Sequence, residues 1–345
     1  MKKFDVIIGN PPYGDLLDKE GKEHARNNFS CACKGGTTNL YALFIDSGLD
    51  LLKHNGRLSF IIPISITSGQ SMAPLHKKIF ANCEEVKVSS FAHRPQQIFK
   101  EAGQAVSIFS CKKTGTPIQK CLSTKLYRKT KEDNLADMLN NLKFLDVYNY
   151  LQEGIIPKMS EEIEIDILKK INKFTPIKQL ISKEGQKIYY RSNGGRYYKV
   201  ITNYSTMSKT ETFITLDRRL ANVIGAILSS DLYFWYYQVH SNNRSINNDL
   251  LASFPIPVEN ITEEAIKQIE AKYEVYLKDI ENNKIVHTTT NYSNIDSFNE
   301  YKICKSRHII EEIDDLIAPL YNLTEKEKEF IKNYEIKFRL GGDKN

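Results

Sequence analysis

Two consecutive prolines directly after an apolar run constrain this chain more than any other feature. Phe4-Asp5-Val6-Ile7-Ile8-Gly9 is followed at once by Asn10-Pro11-Pro12-Tyr13. Apart from Asp5 the leading residues suit a buried strand, and a run apolar on both faces is the pattern of a central parallel strand. Proline lacks the N–H that a ladder needs and has a fixed φ, so the pair must end the strand. An amide and an aromatic ring are thereby held on a stiff turn at the strand's carboxyl end. In open α/β sheets that is where ligands bind. The plainer reading is a Pro-Pro turn in which Asn10 caps its own backbone and Tyr13 is half-buried packing.

Downstream the pattern becomes helical and then extended again. Residues 14–38 are polar and include Gly35-Gly36-Thr37-Thr38, and they read as a mobile loop. Asn39 suits the N-cap of a helix running through Leu52, with Leu40, Phe44 and Leu51 on one face and Leu43 and Ile45 beside it. Gly56, after His54-Asn55, is expected to stop that helix. Arg57 to Pro63 is a second buried strand, and the three elements make a βαβ unit. A helix over 72–82 and strands over 85–91 and 105–111 come next. Residues 114–134 are polar and basic and read as a linker. Beyond about residue 135, Asn, Lys, Tyr and Ile dominate, and residues 261–283 and 307–340 look like amphipathic helices.

A chain of 345 residues has room for two domains. With 48 basic against 42 acidic residues the net charge is +6, which permits nucleic-acid binding without requiring it. There is no apolar run long enough to span a bilayer and no apolar segment behind Lys2-Lys3, so neither a membrane segment nor a secretory signal is expected. Cys31-x-Cys33 has no second close pair, so no metal site is expected. All six cysteines read as reduced thiols of a cytoplasmic protein.

The segment from Phe4 to Gly14 resembles the catalytic motif of amino-directed DNA methyltransferases, most often those acting on adenine N6. Asn39 to Ile45 and Gly56 to Pro63 are similar to the segment downstream of that motif in methylases of type IIG-like restriction–modification systems. The resemblance covers residues 4–113 well. It implies S-adenosylmethionine as methyl donor, duplex DNA as partner, and Asn10, Pro11, Pro12 and Tyr13 as the catalytic turn. Gln97-Ile98-Phe99 resembles the motif that carries a second aromatic, which implies that Phe99 stacks on the base opposite Tyr13, with Phe91 as competitor. The target base must leave the duplex to reach such a site.

The implied fold is α/β: a partial Rossmann-like methyltransferase sheet followed by an α+β target-recognition domain. The expected division is 1–125 for the catalytic half, 126–150 for a linker and 151–345 for the DNA reader. In the family, a Gly-rich loop that holds the donor precedes the catalytic turn, but only nine residues precede Asn10. Gly194-Gly195, Gly225 and Gly341-Gly342 are not a substitute, and the cofactor-binding residues stay unknown. Strand 4–9 should then present an open apolar edge. The expectations are a separate polypeptide supplying the cofactor-binding half, a truncated chain, or a start placed too far downstream. No Pro-Asp nuclease core and no Gly-x-x-x-x-Gly-Lys loop occurs.

Tyr189 to Lys199 is nearly palindromic about Asn193-Gly194 and reads as a hairpin. Arg191, Arg196 and Lys199 near its tip are candidate DNA contacts, with Arg244 in the polar run 242–248 as another. Arg218-Arg219 is a further basic pair, and Leu250 to Pro257 resembles the closing phrase of target-recognition domains. The reading is a site-specific adenine-N6 DNA methyltransferase. Its rivals are a catalytically inactive DNA-specificity subunit, a methyltransferase of RNA or of a protein amide, and a cytosine-N4 enzyme.

Overall fold

The computed structural model describes residues 3–99, 103–193, 199–291 and 294–340, without the side chains of 289–291 and 294–296. The chain divides into two compact units, residues 1–164 with 238–243, and residues 165–237 with 244–345.

The first unit is built on a mixed six-stranded sheet. Its elements in chain order are β1 (Phe4–Gly9), α1 (Lys19–Asn28), α2 (Leu40–Leu51), β2 (Leu52–Pro63), α3 (Ala73–Asn82), β3 (Cys83–Phe91), β4 (Val106–Lys113), β5 (Lys120–Tyr127), α4 (Leu135–Asn140) and β6 (Leu145–Asp146). The sheet order is β1-β2-β4-β3-β5-β6. β1 and β2 are parallel, as the βαβ reading requires, and β4 runs antiparallel to both its neighbours. β1, β2, β3 and β5 therefore all point the same way, and the segments after them leave from one rim.

Register explains the core. Leu58, Phe60 and Ile62 of β2 lie opposite Cys111, Phe109 and Ser107 of β4, which lie opposite Val86, Val88 and Ser90 of β3. All nine are buried on the face that α2 and α3 cover. The α2 face is turned from the expected one: Phe44 is exposed, and Tyr41, Ile45, Gly48 and Leu49 are buried. Gly48 selects that face, because a Cβ there would stand 2.4 Å from Leu58 Cδ1, so only glycine lets α2 approach β2 closely.

Three further expectations are corrected. The left-handed residue after α2 is Asn55 (φ 64°), and Gly56 instead sits tightly beside Asp5 C=O of β1. Residues 120–127 are strand β5 and not linker, because Cys121, Ser123 and Leu126 extend the buried face despite Lys120 and Lys125. Residues 14–38 contain α1, whose N-cap Asp18 accepts from Gly21 N–H at 2.8 Å.

β1 is an edge strand, and Val6 and Ile8 on its uncovered face are 62% and 79% exposed. No helix of the described residues is long and apolar enough to cross a membrane.

Further along the chain α5 (Glu162–Ile171) leads to β7 (Thr175–Pro176), β8 (Ile181–Arg191), β9 (Ile201–Thr202), β10 (Glu211–Leu216), α6 (Arg218–Ser229), α7 (Asp231–His240), α8 (Asn248–Ser253), β11 (Pro255–Ile256) and α9 (Glu263–Asn282). A ribbon of β12 (Ile285–Asn291) and β13 (Asn294–Glu300) comes next, then α10 (Arg307–Ile317), α11 (Glu325–Asn333) and α12 (Ile336–Arg339). β8 is the centre of a three-stranded antiparallel sheet between β10 and β9. α6, α9 and α10 pack together, and Gly225 of α6 leaves the room that the Tyr273 hydroxyl fills. Phe254 is fully buried between the rings of Tyr233 and Tyr236, at 5.1 and 4.9 Å.

Candidate active site

Asn10-Pro11-Pro12-Tyr13 forms the turn leaving β1 at the carboxyl rim of the sheet. Pro11 is buried, Asn10 and Pro12 are exposed, and Tyr13 is half-buried. The Tyr13 hydroxyl lies 2.7 Å from Asn10 Oδ1 and 2.9 Å from the Ile61 carbonyl oxygen of β2. The ring is thus fixed at its polar end to the neighbouring strand and to the amide. Burial raises the Tyr13 pKa, so the hydroxyl keeps its proton.

The chain beyond the turn is braced against α2. Gly14 N–H donates to Asn39 Oδ1 at 3.0 Å, and Leu40 N–H donates to Gly14 C=O at 2.9 Å. Asn39 holds the N-cap position with extended backbone, yet its side chain caps nothing in its own helix. The sequence signal for Asn39 was present but pointed to a local cap. Asp15 ties the same segment together, accepting from Thr38 Oγ1 at 2.6 Å and Lys22 Nζ at 2.7 Å. The Lys22 and Thr38 hydrogen bonds hold its carboxyl below the usual carboxylate range. Deeper down, buried Asp46 of α2 accepts from Cys31 N–H at 2.8 Å and pairs with Lys78 at 2.6 Å. The segment read as mobile is therefore anchored at both ends.

Phe99 lies on the segment between β3 and β4, which leaves from the same rim, and is 37% exposed. Its competitor Phe91 is ruled out as a stacking face, because it is 1% exposed within β3 with its ring against Tyr127 at 6.4 Å. Beneath this rim Ile64, Ala92, Ala105 and Leu126 form a buried apolar cluster. Ile64 N–H to Ala105 C=O at 3.1 Å and Ala92 N–H to Tyr127 C=O at 2.8 Å fasten it.

The basic residues of the second unit fare differently. β8 pairs antiparallel with β9, Tyr190 opposite Ile201 and Tyr189 opposite Thr202, and residues 194–198 of the expected hairpin lie outside the described residues. Ile201, which lies opposite Tyr190, is buried. Arg196 lies outside the described residues. Lys199 is 8% exposed with its ammonium 4.1 Å from the Tyr237 ring centre, and is not a surface contact. Arg191 is engaged inside its own unit, by Thr206 Oγ1 at 3.1 Å, the Asn299 carbonyl at 3.1 Å and the Tyr301 ring at 4.9 Å. Arg219 is bound by Glu263 at 2.6 Å, and Arg244 is exposed.

Comparison with known proteins bears on the first unit most strongly. Residues 1–99 match the family described as Eco57I restriction-modification methylase. A protein of Methanocaldococcus jannaschii named as a type II restriction enzyme and methyltransferase is 40% identical over 77 residues, covering 22% of this chain and 6% of that protein. The type II methyltransferase M.AccI of Acinetobacter calcoaceticus is 25% identical over 212 residues, 60% of this chain and 34% of the relative. This chain thus spans about a third or less of the curated relatives it matches. In fold it is similar to the type IIL restriction-modification enzyme MmeI, solved in complex with DNA, with a TM-score of 0.54 and 13% identity over 97% of this chain and 56% of that one.

Proposed function

We propose that the turn at residues 10–13 receives an adenine swung out of duplex DNA and presents its N6 for methylation, as part of a restriction–modification DNA methyltransferase that uses S-adenosylmethionine. One observation carries the reading. Two oxygen acceptors, Asn10 Oδ1 and Pro11 C=O, belong to adjacent residues of a proline-stiffened turn on an open rim, beside an aromatic ring pinned at its hydroxyl. The adenine N6 lone pair is delocalised into its ring. Accepting both amino hydrogens favours the tetrahedral nitrogen that can attack, and no ionised base is needed for that. The fixed φ of proline keeps the acceptors where they are required. Tyr13 and Phe99 would take the two faces of the base, each stack contributing roughly 1–3 kcal/mol.

S-adenosylmethionine, when bound, supplies an electrophilic methyl group. No Gly-x-Gly occurs in this sequence, so it lacks the glycine fingerprint of a donor-cradling loop. The residues present do not fit the donor. In this reading the donor site lies on polypeptide that covers β1, whose outer edge has no partner strand among the described residues. That polypeptide is a further part of the same protein or a separate chain. The second unit would read the DNA sequence, with Arg244 toward phosphate.

Calorimetry of the chain with S-adenosylmethionine, beside a mobility shift with mixed duplex DNA, tests this assignment. DNA binding without donor binding is expected. Donor binding by the chain alone would overturn the location of the donor site, and absence of DNA binding would overturn the reader.

A further inference from the structure

The Tyr13 hydroxyl presents an arithmetic problem. It has one proton and faces two oxygens, Asn10 Oδ1 at 2.7 Å and Ile61 C=O at 2.9 Å. Two oxygen–oxygen approaches of that length need a proton in each, and a phenol supplies one. The Ile61 carbonyl is fixed in β2 and can only accept. The Asn10 amide is exposed, and a half-turn of its end exchanges Oδ1 with Nδ2. After that half-turn Nδ2–H donates to the tyrosine oxygen, the tyrosine donates to Ile61, and every approach holds one proton.

We infer that Tyr13 is a positioning residue as well as a stacking face: its hydroxyl relays a hydrogen bond from the Asn10 Nδ2–H to the Ile61 carbonyl, so that Asn10 Oδ1 faces the open rim. The inference rests on the proposed methyl transfer, because it assigns the orientation of the acceptor used there. It adds a reason for a tyrosine at a position where stacking alone needs only a ring. The raised pKa of Tyr13 is in keeping with a hydroxyl that donates and is not ionised. Relayed hydrogen bonds of this kind polarise one another. The bond to a strand carbonyl makes β2 the reference for the amide, so the acceptor is set by the sheet and not by the flexible Asn10 side chain.

The test has two readouts. In the first, nuclear magnetic resonance of the isolated chain follows the two Asn10 Nδ2 protons. One is expected to be shifted downfield and slowed in exchange, and Tyr13→Phe should return it to the values of a free amide. Two free-amide protons in the unsubstituted chain would overturn the inference without touching the methyl-transfer reading. In the second, the complete methyltransferase carries Tyr13→Phe. Its kcat should fall about tenfold, the worth of one orienting hydrogen bond, while KM for DNA stays unchanged because the ring remains. An unchanged kcat would refute the relay, and a raised one would mean in addition that the hydroxyl occupies Oδ1 in competition with substrate. Failure of the underlying reading shows differently, as full activity in Asn10→Ala.

Discussion

Replacing Asn39 with alanine removes the acceptor that holds the chain just beyond Tyr13. Its Oδ1 receives Gly14 N–H at 3.0 Å, and both residues are half-buried. The net worth of such a bond is about 1 kcal/mol, more if the N–H finds no water. About 1.4 kcal/mol is a factor of ten, so the locally open population at Gly14 should rise roughly fivefold. The neighbouring bond from Leu40 N–H to Gly14 C=O survives, which keeps the effect local. Asn39→Asp retains an acceptor oxygen and adds a negative charge at the N-terminus of α2, which the helix dipole favours. Amide hydrogen exchange of Gly14 and Leu40 is the assay. Faster Gly14 exchange in Asn39→Ala, with near-native protection in Asn39→Asp, is the expected pattern. Unchanged exchange in the alanine variant, or equal acceleration in both, would refute the brace.

Three other outcomes are expected. Burial pulls Lys158 down to about 7, while its amine serves the Val239 and Ser241 carbonyls at 2.9 and 2.7 Å, a match for the two N–H of the neutral form. Unfolded lysine titrates near ~10.4, so between those values the unfolded chain binds more protons and stability rises with pH, by up to ~1.4 kcal/mol per unit. The urea midpoint should therefore climb from pH 7 to 9 more steeply than in Lys158→Met, and parallel profiles would contradict this. Phe254→Ala should destabilise the second unit by about 3–5 kcal/mol, because the Tyr233 and Tyr236 rings cannot close the space; a loss below ~1 kcal/mol in urea melts would contradict it. Arg191→Ala should lower stability and leave the salt dependence of DNA binding intact, whereas Arg244→Ala should reduce the slope of log K against log salt by about one; the reverse pattern would exchange their roles.

Much of the first unit was legible because it is written in strong local signals. The Pro-Pro stop, the apolar run before it and the buried strand at 57–63 specify β1, α2 and β2 without reference to anything distant. β3 and β4 were readable for the same reason, as short apolar runs bounded by polar residues. What escaped depends on partners far along the chain. α1 is polar throughout with only Ala25 buried, so it carries no periodicity to detect. β5 hides its buried Cys121, Ser123 and Leu126 among lysines. The face of α2 was misjudged because Gly48 contributes by the approach it permits and adds no hydrophobicity. Charge was the poorest guide to the second unit. Nothing local shows that Lys199 meets Tyr237 or that Arg191 meets Thr206 and Tyr301. In and around the turn, residue types were readable and roles were not: Asn39 looked like a cap and braces Gly14, and Tyr13 looked like a ring and also carries a hydrogen-bonded hydroxyl.

In the proposed function the Asn10 turn acts on adenine N6. The direct measurement is mass-spectrometric nucleoside analysis of genomic DNA from the source cells, with the native gene compared against Asn10→Ala at its own locus. N6-methyladenine is expected in the native DNA and abolished by Asn10→Ala, although the variant chain still binds DNA. N4-methylcytosine in its place, or N6-methyladenine that persists in the variant, would contradict it.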